Sequence, residues 1–91
     1  MSDKQRILIA DDSEMNRAIL TEMLGEKYEI LEAENGQQAI EMIEQNSDID
    51  LLLLDIMMPV KDGFDVLAAM NQYHWIDELP VIMISAESAT S

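Results

Sequence analysis

Three short apolar runs constrain what this chain can fold into: Ile7–Ala10 ("ILIA"), Leu51–Leu54 ("LLLL") and Val81–Ile84 ("VIMI"). None alternates polar with apolar residues. A strand with one wet face would alternate. A continuous short run suits a strand buried on both faces, as in a parallel sheet. A further stretch, Tyr28–Glu34 ("YEILEAE"), is mixed and fits a strand nearer an edge.

Helical patterns lie between the runs. After Asp12, the positions Met15, Ala18, Ile19, Met23 and Leu24 follow helical spacing and predict one apolar face. Ser13 or Asp12 can cap the start of this helix, and Gly25 is placed to end it. Asn35-Gly36 opens a second helix with Ala39, Ile40 and Ile43 on one face. Asp62-Gly63 opens a third with Val66, Leu67 and Met70 on one face. The order β-α-β-α-β-α-β implies crossover connections, hence an α/β fold with a parallel sheet and helices on both faces.

In such a sheet the carboxyl ends of all strands share one edge, and open α/β sheets bind ligands there, where strand order reverses. Asp11 and Asp12 follow the first run, Asp55 follows the second, and Ser85 follows the third. Each residue alone has a plain explanation. Asp12, Ser13 or Ser85 could cap a helix, and Asp55 could be a polar strand end. Their joint placement is harder to explain that way. Two carboxylates about 4 Å apart repel by roughly 4 kcal/mol at an effective dielectric of 20. A domain stable by roughly 5–15 kcal/mol does not keep three such groups together idly. Oxygen ligands in small number suit Mg²⁺, which keeps several of its waters.

Composition agrees. Nineteen acidic residues face five basic ones, a net charge of −14, which argues against nucleic-acid binding and against docking on anionic membranes. Most of that charge is a solvated surface. The chain has no cysteine, so neither a disulfide nor a thiolate metal site forms. No apolar run reaches the length of a membrane span and the start is no signal peptide, so a cytoplasmic location is expected. The eight methionines read as core packing, and His74 as a structural or exposed residue.

The stretches "ILIADDSEMNR", "EAENGQQAIEMI", "DLLLLDIMMPVKDGFDVL" and "LPVIMISAES" together resemble the receiver domain of two-component response regulators, of the chemotaxis-regulator type. The resemblance covers nearly the whole chain, with residues 1–91 as one receiver domain incomplete at its C-terminal end. It implies a flavodoxin-like doubly wound sheet of order 2-1-3-4, with the fifth strand and last helices missing. It implies that Asp55 is the phosphoacceptor, taking a phosphoryl group from a histidine kinase or phosphotransfer protein. Mg²⁺ would sit on Asp11, Asp12, Asp55 and the Met57 carbonyl, and Ser85 would be the switch hydroxyl. Pro59 and Gly63 would shape the loop after Asp55, with Lys61 a solvated charge. Met57 and Glu87 would tune the lifetime of the acyl phosphate, and Ala86 would leave room for it. An output domain would lie beyond residue 91. The family's lysine after a fifth strand has no counterpart here, so a phosphorylation-independent interaction module is the alternative. Other enzyme classes fit less well. There is no G-x-x-x-x-G-K-[ST] loop, and Met57 stands where a haloacid-dehalogenase-type phosphatase needs a second aspartate. Without a fifth strand, the fourth would be an open apolar edge, and self-association through it is expected. A monomer by light scattering at every concentration would exclude that.

Overall fold

The computed structural model describes residues 4–84. Strands β1 (Arg6–Ala10), β2 (Glu29–Ala33), β3 (Leu51–Asp55) and β4 (Val81–Ile84) alternate with helices α1 (Glu14–Leu24), α2 (Gly36–Gln45) and α3 (Gly63–Gln72). A single 3₁₀ turn, Trp75–Asp77, precedes β4. All strand pairs are parallel and the order is β2-β1-β3-β4, so two of the three apolar strands lie inside, with the mixed strand at one edge and β4 at the other. No fifth strand occurs among the described residues. No helix among them is long and apolar enough to cross a membrane.

Local chemistry sets the helix starts. The Ser13 side chain accepts from the Asn16 amide at 3.2 Å, and Asn35 accepts from the Gln38 amide at 2.9 Å. At α3, Asp62 and Asp65 cap each other's amides at 2.9 and 3.0 Å. Each pair satisfies backbone donors that a helix start otherwise leaves open.

Within each inner strand, successive side chains serve opposite faces. Leu8, Ala10, Leu52 and Leu54 pack with Ala39, Ile43, Val66 and Met70 beneath α2 and α3. Ile7, Ile9 and Leu53 pack with Leu20, Leu24 and Tyr28 beneath α1. The second layer is thinner. A groove of about 490 Å³ stays open there, lined by Ile7, Leu24, Tyr28, Leu51, Leu53 and Ile82 among others.

Helix α1 departs from the expected apolar face. Met15, Ile19 and Met23 are 72%, 50% and 70% exposed, whereas Leu20 and Leu24 turn to the sheet beside a buried Arg17. The helix carries two apolar stripes, and spacing alone does not say which one meets the sheet. The expectation for the methionines changes too. Met70 is buried and Met42, Met58 and Met83 pack against the core, as expected, but Met15, Met23 and Met57 are exposed. These orientations are testable by urea unfolding. Leu8→Ala, in a fully buried position, is expected to cost about 2–5 kcal/mol. Met23→Ala is expected to stay within about 0.5 kcal/mol. A large loss at Met23 would overturn the orientation of α1.

Candidate functional site

Ala10 pairs with Leu54 across β1 and β3, so the next residues, Asp11 and Asp55, leave the sheet side by side. Asp12 joins them. One carboxylate oxygen from each of the three lies within 4.8 Å of the others. Asp11 and Asp55 are buried, at 3% and 9% exposure, and Asp12 is exposed. Two of the three acids are therefore held out of water beside one another, whereas the sequence reading placed all three in one cleft without saying which are buried.

Asp11 is held on every side. Its amide donates to the Ala33 carbonyl of β2 at 3.1 Å. Its side chain accepts from the Ser13 amide at 2.9 Å and from the Asn16 side-chain amide at 3.4 Å. Its carbonyl accepts from the Arg17 guanidinium at 2.6 Å. Asp55 ends β3, and the pairing of Asp55 with Ile84 brings the end of β4 beside it. Burial pushes the Asp55 carboxyl up to about 6, aided by the charge of Asp11, a hydrogen bond with Asp11 and the charge of Asp12. A hydrogen bond from the Met57 backbone opposes this rise.

The loop after Asp55 is pinned at both ends. The Gly63 amide donates to the Ile56 carbonyl at 2.9 Å, and the Lys61 carbonyl accepts from the Gly36 amide at 2.9 Å. A side chain at residue 63 would put its Cβ 2.5 Å from the carbonyl oxygen of Asp55, so only glycine fits there. Between these ties the Lys61 amide reaches back to the Pro59 carbonyl at 2.7 Å, across Val60 with φ 67°. A β-branched residue at positive φ costs on the order of 1–3 kcal/mol, a strain that concentrates in loops with a task. The sequence reading named Pro59 and Gly63 but not Val60.

Of the remaining sequence-derived sites, Met57 contributes its backbone to Asp55, while its side chain is 61% exposed. Ser85, Ala86 and Glu87 lie outside the described residues. His74 is exposed, 3.9 Å from Asp77 and away from the acids along the chain. Asn16, Arg17 and Glu32 were not anticipated. The available signal was a lone cation on an otherwise apolar helix stripe with a glutamate in a mixed strand.

A family model described as the response regulator receiver domain matches residues 7–91. The chain belongs to that family. Receiver domains are signalling modules. The transcriptional regulatory protein CpxR of Escherichia coli is 40% identical over 85 residues, which cover 92% of this chain and 34% of CpxR. The chain thus spans about a third of that relative's length. The response regulator TrrA of Thermotoga maritima, solved in complex with Mg²⁺ and BeF, has a TM-score of 0.81 and 35% identity, covering 90% of this chain and 70% of TrrA. The receiver domain of Ssk1 from Saccharomyces cerevisiae, solved with the histidine phosphotransfer protein Ypd1, has a TM-score of 0.76 and 25% identity, covering 90% and 62%. The sheet order of this receiver domain is that of the expected fold.

The raised Asp55 carboxyl makes stability depend on pH. In the unfolded chain it titrates near 3.8, and in the folded chain near 6. Between those values the folded state holds the extra proton. Its contribution is fully present below about pH 4 and is lost as pH rises through about 6. Without Mg²⁺, Asp55→Asn should therefore be more stable than the parent by roughly 1–3 kcal/mol at pH 7.5, with the gap closing towards pH 4. Urea unfolding of both chains across this range checks it. A gap that does not change with pH would remove the assignment.

Proposed function

We propose that this receiver domain is a phosphoacceptor switch in which Asp55 takes a phosphoryl group from a histidine kinase or a histidine phosphotransfer protein. The carrying observation is the convergence of Asp11, Asp12 and Asp55 at the carboxyl edge of the sheet. The donor set consists of carboxylate oxygens, with no nitrogen or sulfur ligand in the cluster, which suits Mg²⁺. Asp11, Asp12, Asp55 and the Met57 carbonyl would hold that ion. Once bound, it would offset the crowded negative charge and that of an incoming phosphoryl group.

The chain's own residues supply the rest. An ionised oxygen of Asp55 attacks phosphorus. The bond from phosphorus to the donor's histidine nitrogen breaks, and a mixed carboxylic–phosphoric anhydride remains on Asp55. With its carboxyl near 6, Asp55 is mostly ionised at neutral pH and able to attack. Burial anchors it, and the ties at Gly63 and Lys61 hold the loop around it. Ser85 follows Ile84, the residue paired with Asp55, and its hydroxyl would bond a phosphoryl oxygen and report the change. The domain would act as a switch rather than a turnover enzyme, relaying its state to an output domain or partner.

Apolar side chains on the segments bearing the acids favour a protein donor. Met15 and Ile19 follow the Asp11–Asp12 pair, and Met57, Val60 and Phe64 follow Asp55, all at least half exposed. Exposed clusters of this kind mark docking surfaces.

Intact mass after incubation with acetyl phosphate tests the reading. One phosphoryl adduct is expected, requiring both Mg²⁺ and Asp55 and absent in Asp55→Ala. Ile19→Glu should leave this labelling unchanged while slowing transfer from a phosphorylated histidine phosphotransfer protein by roughly 10-fold or more. A folded chain that takes no adduct would return the alternative, an interaction module that does not use phosphorylation.

A further inference from the structure

Arg17 is the buried charge that the site so far leaves unexplained. It lies on the α1 stripe that turns to the sheet, one turn before Leu20 and two before Leu24, at 9% exposure. A leucine there would extend the apolar contact. Burying a guanidinium instead is costly unless its donors are matched.

They are matched in a specific way. One guanidinium nitrogen donates to the Asp11 carbonyl at 2.6 Å. The Nε donates to Glu32 of β2 at 2.9 Å. The second Glu32 oxygen accepts from the Thr21 hydroxyl at 3.5 Å. The planar fork of arginine thus spans two elements, and Glu32 sets its orientation. The carbonyl it grips belongs to the peptide unit joining Asp11 to Asp12. That unit is planar, so fixing its oxygen fixes the direction in which the chain enters Asp12. The Ala33 contact fixes the amide on the other side of Asp11.

We propose that Arg17, oriented by Glu32, is a positioning residue for the cation site, holding the Asp11–Asp12 peptide so that both carboxylates face Asp55. This rests on the Mg²⁺ reading above. Arg17 touches neither the ion nor the phosphoryl group. It acts through the peptide, as partners behind a metal ligand do, and their loss typically weakens metal binding about 10–100-fold.

The test is Mg²⁺ titration followed by the amide NMR shifts of Asp55 and Ile56, with urea unfolding of every variant alongside. Arg17→Met should weaken Mg²⁺ binding by roughly 10-fold or more. Arg17→Lys keeps the charge but lacks the fork, so it should fall between. Glu32→Gln keeps an acceptor for Nε and should lose only a few-fold, roughly. A double-mutant cycle separates positioning from general loosening. In an Asp12→Asn background the Arg17→Met effect should shrink, because one of the two carboxylates it aims is gone. An equal effect in both backgrounds, or unchanged affinity in a folded Arg17→Met or Arg17→Lys chain, would overturn the proposal. No Mg²⁺ binding by the parent chain would remove the cation reading itself, and the role of Arg17 with it.

Discussion

Parallel pairing of β1 with β3 is the constraint on which the site depends. Hydrogen bonding between these strands sets Ala10 opposite Leu54, and the next residue on each strand is an aspartate. The two carboxylates are forced together by a register that their own repulsion opposes. The sheet can impose this because its inner strands are buried on both faces. Leu8, Ile9, Leu52 and Leu54 are fully or almost fully out of water, and slipping the register would uncover them. Hydrophobic burial along the strands therefore holds charges at their ends.

The repulsion shows in the Asp55 carboxyl, whose rise towards 6 comes first from burial and then from Asp11. The same crowding gives a cation something to relieve. Asp11 resists moving apart because its backbone and side chain are tied to Ala33, Arg17, Ser13 and Asn16. The opposite wall is held by Gly63, where backbone packs on backbone, and by the turn at Val60. Rigid walls keep ligand atoms near their working positions without reorganisation when charge arrives.

Helix α1 links this edge to the rest of the surface. The connection into it carries Asp11 and Asp12, its inner stripe carries Arg17, and its outer stripe of Met15, Ile19 and Met23 stays in solvent. In the proposed reading the two faces serve different ends of the same function: one shapes the site, and the other offers apolar surface to a partner. The thin layer beneath α1 has a related origin. Among the described residues one helix covers that face of the sheet and two cover the other, with Leu51, Leu53 and Ile82 along an open groove.

Much of this was legible in the residues. Continuous apolar runs determined the strands, the parallel sheet and the placement of Asp11, Asp12 and Asp55 at one edge, because burial on both faces admits few other patterns. Ser13, Asn35 and Asp62 determined the helix starts, because capping needs only neighbours three residues away. What tertiary structure decided was which stripe of α1 turned inward, since both were apolar enough and only the sheet beneath could choose. It also decided the partnership of Arg17 with Glu32 and the Asp11 carbonyl. Those groups lie 15 and 6 residues apart, on different elements, and nothing in local spacing brings them together until β2 pairs with β1.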